Sequence, residues 1–316
     1  MAFHKGAPLQ LGGLALSGST DLGNITFPVD DRKMHRRTFL TSSLTLPFIP
    51  AISAFGAPAN RIGVTDWSIG KRADLGAFDE AKEIGLGSVQ VSFTPVPKRS
   101  EYALGDESIQ EQVLGKSEET GVAIASTAMG IFNSQPFKEI PEAVDWARQG
   151  VEVTHQLGKD VMLMAFFGKN DLKNDEEGTE ETIKRLKQVA PLAEEKGVIL
   201  GLETTLSADE HLHIIESVGS DAVQVYYDLG NSHNNGYDIA GEIRQLGKDL
   251  ICEVHCKDKG GWSFGPGEVD FIEASKALIE IGYDSWYVLE GPAAEGKTTL
   301  ETLEENANYL RKNGYS

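Results

Sequence analysis

Four acidic or imidazole side chains in the second half of the chain have the residue types and the spacing of a metal site. Glu203, Asp228, His255 and Glu290 each stand at the C-terminal end of a short segment rich in apolar, branched and aromatic residues. Taken singly, such a carboxylate often caps a helix, and a lone buried histidine is usually only hydrogen-bonded. At the ends of four consecutive strand-like segments, they instead indicate side chains that converge on one ion.

The segments that carry these residues predict buried parallel strands. Apolar runs of this length suit strands that are covered on both faces. The predicted strands are residues 198–203, 223–228, 250–255 and 286–290. The segments of helical character between them are residues 209–218, 238–246 and 270–281. Because strand and helix alternate, this order predicts a parallel sheet.

The same alternation extends back toward the N-terminus. Earlier strands are predicted at residues 61–65, 88–93, 122–127 and 160–166. The remaining helices are predicted at residues 75–84, 108–120, 142–157, 176–196 and 299–312. Eight strand and helix pairs over about 255 residues predict an α/β fold, the parallel eight-stranded (β/α)8 TIM barrel. A doubly wound open sheet is the main alternative, but no glycine-rich dinucleotide-binding motif follows the first strand.

A barrel of this kind explains how the candidate ligands meet. The loops at the C-terminal ends of the strands build its active site, so ligands on strands five to eight can face one central ion. Side-chain alternation in the seventh strand puts Glu253, His255 and Lys257 on one face, which we expect to line the barrel. Cys252 and Cys256 belong to the other face, and we expect them to pack under the helices as small apolar residues.

Composition narrows the classes of function. The chain has 316 residues, with 29 Lys and Arg against 48 Asp and Glu, and a formal net charge of −19. Because so acidic a chain repels polyanions, we do not expect it to bind nucleic acid. No apolar run beyond the N-terminal leader approaches the roughly 20 residues of a membrane span, so none is expected in the mature chain.

Residues 1–59 have the pattern of an N-terminal extension followed by a twin-arginine-like signal peptide. The pair Arg36 and Arg37 precedes a mildly apolar stretch and a site of small residues, as in export signals. Met34 lies just before this pattern, so translation can start there rather than at the first residue. We therefore expect an exported, periplasmic protein whose barrel spans residues 60–316. A disordered tail with a chance arginine pair is the alternative.

The candidate ligands and the motifs around them resemble the xylose isomerase-like barrels. These are the sugar phosphate isomerases/epimerases, which include ketose 3-epimerases and inosose dehydratases. The resemblance covers about residues 61–313. The matching motifs, in chain order, are Gly201-Leu202-Glu203, Tyr227-Asp228-Leu229-Gly230-Asn231-Ser232-His233, His255-Cys256-Lys257-Asp258, Gly265-Pro266-Gly267-Glu268-Val269-Asp270 and Leu289-Glu290-Gly291.

The resemblance implies one divalent ion held by Glu203, Asp228, His255 and Glu290. Three carboxylates and one imidazole are mostly hard donors, which suit Mn²⁺ or Mg²⁺ and admit Co²⁺ or Zn²⁺. Mn²⁺ is the ion that we expect. The resemblance also implies that Glu203 and Glu290 are catalytic and flank opposite faces of a sugar. One removes a proton next to a carbonyl and the other returns it, through a metal-stabilised enediolate.

Further residues are candidates for contact with the substrate. His233 shares a loop with the aspartate ligand, although in ketose epimerases a histidine follows that ligand more closely. Lys257 has the inward parity of the seventh strand, and Trp67 and Phe93 stand near the ends of early strands, where an apolar wall is expected. The alternatives left open are a surface histidine, a salt bridge of the lysine with Glu253 or Asp258, and core packing of the aromatic residues.

The expected function is that of a metal-dependent isomerase or epimerase of a sugar or polyol. If loss of a substituent follows the same proton abstraction, the protein is a lyase or dehydratase of a keto-sugar or 3-keto glycoside. A sugar-binding barrel without turnover is a third hypothesis, against which the complete ligand set counts. The fourth strand lacks the histidines that abasic-site endonucleases of the same superfamily need for a three-metal cluster, so DNA repair is not expected. Related barrels often pair or tetramerise, and a homo-oligomer is an open expectation.

Overall fold

The described part of the chain is a closed barrel of parallel strands. The computed structural model describes residues 60–93, 104–258 and 262–315, so the predicted leader and export signal of residues 1–59 lie outside it. Each strand pairs with the next, and the last pairs with the first. The strands are β1 Ile62–Thr65, β2 Ser88–Ser92, β3 Ala123–Met129, β4 Val161–Ala165, β5 Ile199–Glu203, β6 Val223–Asp228, β7 Ile251–Cys256 and β8 Tyr287–Leu289. The expected (β/α)8 barrel is confirmed.

Helices follow the strands and cover the outside of the barrel. The α-helices of the described residues are α1 Gly76–Glu83, α2 Glu107–Thr120, α3 Ala143–Gln156, α4 Glu176–Lys196, α5 Ala208–Val218, α6 Leu229–Asn234, α7 Ile239–Leu246, α8 Phe271–Ile281 and α9 Thr299–Lys312. The sequence did not predict α6, a short helix that directly follows β6. In these parts of the chain, no helix is long and apolar enough to cross a membrane.

Local capping explains where several helices begin and end. Ser207 and Glu210 form a reciprocal capping box at the start of α5, which satisfies free N–H groups of its first turn. Thr298 and Glu301 do the same for α9. Gly197 ends α4 with a φ of 67°, a left-handed conformation that costs glycine little.

The strands turn apolar side chains outward and many polar side chains inward. In β2, Val89 and Val91 belong to the core between strands and helices. Gln90, between them, instead hydrogen-bonds across the barrel interior to Ser126 and Tyr226. A buried polar interior is stable only when its groups satisfy one another. The alternation of β2 therefore marks the inside of the barrel as the polar side.

An irregularity in β7 changes the direction of one cysteine. The register between β6 and β7 shifts between Val225 and Tyr226, which leaves Cys252 as an extra residue of β7. The Cys252 side chain packs against Tyr226 in the inner cluster, and its thiol donates to the carbonyl oxygen of Val225 at 3.2 Å. The expectation that Cys252 faces the helices is wrong, because a bulge turns two consecutive side chains to one face. Cys256 packs in the outer core as expected.

Candidate metal centre

The candidate ligands converge at the C-terminal end of the barrel. Glu203, Asp228, His255 and Glu290 each offer one ligand atom, and these atoms all lie within 4.8 Å of one another. Nδ1 of His255 is 3.0 Å from a Glu203 oxygen, 3.8 Å from Asp228 and 3.6 Å from Glu290. The first three side chains are buried, and that of Glu290 is 17% exposed. The structure thus brings all four residues of the predicted ligand set together.

One carboxylate oxygen of Asp228 caps a helix, and the other faces the candidate ligands. It ends β6 and caps α6, because its Oδ1 accepts a hydrogen bond from the backbone N–H of Asn231 at 2.8 Å. Its Oδ2 is buried, faces the other three candidate ligands, and lies 2.8 Å from Nζ of Lys257. A buried carboxylate oxygen that is surrounded by other ligand atoms and already attracts a positive charge is a position that suits a cation. The donor set therefore fits a divalent ion.

Lys257 supplies a positive charge next to these carboxylates. Its Nζ donates to Oε2 of Glu290 at 2.7 Å and forms an ion-pair contact with Oδ2 of Asp228 at 2.8 Å. The salt bridge expected as an alternative therefore exists, but its partners are two candidate ligands rather than Glu253 or Asp258. Burial alone would lower the pKa of Lys257, but Asp228 and Glu290 outweigh it and raise that pKa well above its ordinary value.

The close packing of charges shifts the pKa values of the site in opposite directions. Burial, opposed by Lys257, raises the pKa of Asp228 to about 7. Burial would also raise the pKa of Glu290, but Lys257 and His255 lower it to about 2. Burial lowers the pKa of His255, but the negative charges of Glu203 and Glu290 raise it by a larger amount. The net shift of this pKa is therefore upward. The neighbours therefore stabilise the charges of Glu290 and His255, whereas burial disfavours the charge of Asp228.

The loop after β1 holds Glu290 in place. The indole N–H of Trp67 donates to Oε1 of Glu290 at 3.0 Å, and the guanidinium of Arg72 stacks 5.4 Å from the Trp67 ring. Asp66 organises this loop, because its buried carboxyl accepts hydrogen bonds from the backbone N–H and the hydroxyl of Ser92 at 2.7 and 2.6 Å. Burial raises the pKa of Asp66 to about 6.

A small cavity opens beside the four candidate ligands. Its volume is about 260 Å³, which is slightly below the usual range for drug-sized ligands and suits one small molecule. Its polar lining includes Glu203, Asn231, Lys257 and Glu290. Its apolar lining includes Ala128, Leu163, Ala165 and Phe167, and Ala165 is the strand partner of Glu203. Trp67 and Arg72 lie at the edge.

Two of the predicted substrate contacts lie away from this cavity. His233 is 32% exposed, and its Nε2 is 3.3 Å from Glu268. It follows Asn231 by two residues in α6, which turns its side chain by about 200° around the helix. Phe93 is 3% exposed and packs in the outer core, because it shares the outward parity of Val91. Trp67 and Lys257, the other two candidates, do line the cavity.

Sequence reasoning missed two polar residues that contact the candidate ligands. Nδ2 of Asn231 is 3.5 Å from Glu203, and Oε1 of Gln90 is 2.9 Å from Nε2 of His255. The signal for Asn231 is its place three residues after the capping aspartate. The signal for Gln90 is the polar alternation of β2, in which every second residue is Ser or Gln.

Comparison with protein families and curated proteins gives the chain relatives. A family model described as xylose isomerase-like TIM barrel matches residues 78–313. The 2-epi-5-epi-valiolone 7-phosphate 2-epimerase of Actinoplanes sp. is 26% identical over 200 residues, which are 63% of this chain and 72% of that protein. The inosose dehydratase of Geobacillus thermodenitrificans is 26% identical over 216 residues, covering 54% of this chain and 69% of the relative. An uncharacterized protein of Methanocaldococcus jannaschii is also 26% identical, but the match spans only 48% of its length and 39% of this chain.

Solved structures share the fold at low sequence identity. The D-psicose 3-epimerase from Clostridium cellulolyticum H10 superposes with a TM-score of 0.68 at 15% identity, covering 81% of this chain and all of that one. The 3-keto-D-glucoside 4-epimerase from E. coli gives 0.65 at 15% identity, covering 80% and 98%. At this identity the likeness concerns the barrel alone. The named curated relatives are both enzymes, which confirms the expectation of an enzyme.

Proposed function

Because this chain belongs to the xylose isomerase-like TIM barrels, we propose that it is a metal-dependent isomerase or epimerase of a sugar or polyol. The observation that carries the proposal is the meeting of three carboxylates and one imidazole beside a small cavity at the C-terminal end of the barrel. Relatives named as an epimerase and as an inosose dehydratase support this class of substrate.

We assign one divalent ion to the four converging side chains. Glu203, Asp228, His255 and Glu290 would hold it, and their mostly hard donor atoms favour Mn²⁺. The bound ion supplies electrophilic stabilisation of the negative charge that develops next to the substrate carbonyl. The remaining work of the reaction, which is the movement of a proton, belongs to side chains of this chain.

We propose that Glu203 and Glu290 move that proton. They end β5 and follow β8, strands that lie three positions apart around the barrel, and both line the cavity. A substrate bound in the cavity above the ligand atoms would have these two carboxylates on either side of its reacting carbon. One glutamate removes the proton next to the carbonyl and the other returns a proton to the opposite face. Trp67 and Lys257 each donate a hydrogen bond to Glu290, which orients that carboxylate.

The cavity walls suggest how a sugar lies between these glutamates. Lys257 and Asn231 offer N–H donors on the polar side, where substrate hydroxyl and carbonyl oxygens would bind. Leu163 and Phe167 offer an apolar surface in the same cavity, which suits the C–H groups of a sugar. We therefore propose Lys257 and Trp67 as substrate contacts, together with Asn231 in place of His233.

Elemental analysis of untagged protein tests the metal centre first. Wild-type protein should carry about one equivalent of Mn²⁺ after reconstitution, and His255→Ala should carry none, because the variant loses a ligand from the centre. His213→Ala is the matched control, since His213 is 59% exposed and lies on α5. Wild-type protein without metal after reconstitution would overturn the proposed centre.

Exchange of deuterium from solvent tests the proton transfer. Wild-type protein should incorporate deuterium next to the carbonyl of a ketose substrate, found by screening ketoses and 3-keto glycosides. Glu203→Gln and Glu290→Gln should each slow this exchange by about 10²–10⁴-fold, the usual contribution of an acid or base. Glu242→Gln is the control, because Glu242 is a buried carboxylate that hydrogen-bonds Tyr227 instead. A Glu290→Gln protein that binds metal and exchanges at the wild-type rate would contradict the two-glutamate mechanism.

A lyase or dehydratase is the second candidate, and the similarity to an inosose dehydratase favours keeping it. Proton removal is the same, but the electron pair then expels a substituent from the neighbouring carbon. An enone absorbing in the ultraviolet, or a released aglycone, would assign the protein to this class. Sugar binding without deuterium incorporation would instead point to a barrel without turnover.

Location and assembly complete the proposal. We propose export to the periplasm because of the Arg36 and Arg37 pair, in the part of the chain before the described residues. Homo-oligomerisation stays a prediction from the habit of related barrels.

A further inference from the structure

The side of His255 that faces away from the carboxylates contacts a second group of polar residues. Its Nδ1 lies 3.0 Å from Glu203, at the centre of the candidate ligands. Its Nε2 lies 2.9 Å from Oε1 of Gln90 in β2. Each ring nitrogen thus has one partner, and only Glu203 belongs to the proposed metal centre. A neutral imidazole carries its proton on one nitrogen only, so these partners decide which nitrogen is free.

Hydrogen bonds behind Gln90 decide which way its amide points. Nε2 of Gln90 donates to the hydroxyls of Ser126 and Tyr226, at 2.9 and 3.0 Å. Both hydroxyls donate their single hydrogen to Oε2 of Glu253, at 2.7 and 2.8 Å. Each hydroxyl must therefore accept from Gln90 and cannot donate to it. The carbonyl oxygen of Gln90 is then the atom that faces His255.

Burial makes this order of donors and acceptors strict. Gln90, Ser126 and His255 have no exposed surface, and Tyr226 and Glu253 are each 1% exposed. Water cannot replace a broken link, so reversing one amide or hydroxyl would leave a buried donor facing a donor. Such a mismatch costs about 1–3 kcal/mol for each unsatisfied group. With Glu253 as a carboxylate that accepts from both hydroxyls, the network allows one arrangement, in which Gln90 accepts the proton of Nε2.

We propose that Gln90 is a positioning residue that sets the tautomer of His255. By accepting the Nε2 proton, it leaves the lone pair of Nδ1 directed at Glu203, Asp228 and Glu290, where the ion would bind. The inference rests on the metal centre proposed above and adds a residue from β2, outside the four ligand-bearing strand ends. Partners of this kind typically change metal affinity by about 10–100-fold when they are removed.

Mn²⁺ binding to Gln90→Met tests this role. Methionine has nearly the shape of glutamine but accepts no strong hydrogen bond, so the variant should bind Mn²⁺ about 10–100-fold more weakly by calorimetry. Gln110→Met is the matched control. Gln110 is a buried glutamine on α2 that donates to Leu104 and Gln156, and its variant should bind Mn²⁺ as the wild type does.

Nitrogen NMR of the Zn²⁺-loaded, ¹⁵N-histidine-labelled protein reads the tautomer directly. Wild-type protein should show the proton of His255 on Nε2, protected from exchange, and Gln90→Met should show it exchanging faster. If Gln90→Met does not fold, the double variant Ser126→Ala, Tyr226→Phe frees the Gln90 amide to turn and should also weaken Mn²⁺ binding.

The outcomes separate this inference from the proposed function. Wild-type affinity in Gln90→Met, or ligation of zinc through Nε2, overturns the role of Gln90 and leaves the metal centre standing. Wild-type protein that binds neither Mn²⁺ nor Zn²⁺ overturns both.

Discussion

Lys257→Met tests whether the lysine and a divalent ion neutralise the same carboxylates. Nζ of Lys257 lies 2.8 Å from Asp228 and 2.7 Å from Glu290. At such distances and an effective dielectric constant of about 20, each contact contributes about 6 kcal/mol of Coulomb attraction before desolvation. Methionine keeps much of the side-chain volume and removes the charge, so the variant isolates the electrostatic part.

The net loss of stability is smaller than the Coulomb attraction. Removing one partner of a buried ion pair costs about 3–5 kcal/mol. Asp228 already has a pKa of about 7, so it can take up a proton and limit the loss. We expect about 3 kcal/mol in EDTA-treated protein at pH 8, which lowers Tm by about 6–12 °C for a domain of this size. Because carboxylates without the lysine have raised pKa values in the folded state, the deficit should shrink as the pH falls toward 6.

Thermal melts with and without Mn²⁺ provide the measurement. Mn²⁺ should raise the Tm of Lys257→Met more than that of the wild type, because the ion replaces the missing positive charge. Lys276→Met is the control, since Lys276 is 61% exposed and pairs with Glu273 at 3.1 Å. It should lose about 0–1 kcal/mol and respond to Mn²⁺ as the wild type does. Equal Mn²⁺ shifts in Lys257→Met and wild type would refute the reasoning.

Three further predictions concern other parts of the chain. Trp67→Phe removes the hydrogen bond that the indole N–H donates to Glu290 at 3.0 Å, and a hydrogen bond to a charged group contributes about 1.5–3 kcal/mol. The pKa of Glu290, and with it the acid limb of the pH–activity profile, should therefore rise by about 1–2 pH units. An acid limb that does not move would contradict this prediction. Burial lowers the pKa of His211 from 6.5 to about 4. The fold should therefore lose about 3 kcal/mol between about pH 6.5 and 4, a loss that urea titrations of His211→Gln should not show. Replacing Arg36 and Arg37 by lysine should hold the protein in the cytoplasm on cell fractionation, and an unchanged periplasmic yield would exclude twin-arginine export.

The barrel could be predicted from the sequence because its strands are short apolar runs between helical segments. Their limits agree with the structure to within one residue, apart from the end of β3, which lies two residues later than predicted. The short helix α6, Leu229–Asn234, was missed because its sequence Leu-Gly-Asn-Ser-His-Asn has no apolar period. Its start depends on capping by Asp228, a contact that also explains why Asn231 rather than His233 faces the cavity. The inward turn of Cys252 depends on strand pairing, which side-chain alternation alone does not contain.

The candidate ligands could be predicted because the C-terminal ends of parallel strands necessarily meet in a barrel. Their supporting contacts could not, since these join residues far apart in the chain. Trp67 and Glu290 are separated by 223 positions, and Gln90 and His255 by 165. Such pairs follow from closure of the barrel and from the need of each buried donor to find an acceptor, which no local pattern states.

The interior of this barrel is apolar in one part and polar in another, and the polar part orients the ring of His255. The inward residues of β4, Val161, Leu163 and Ala165, form an apolar cluster. An apolar interior of this kind avoids the desolvation of buried polar groups, so stability alone would favour it throughout. The strands β2, β3, β6 and β7 instead bury a connected set of hydrogen-bonding side chains that ends at His255. Because a partly satisfied set would cost more than an apolar one, the complete set is best explained by the orientation that it gives to the ring.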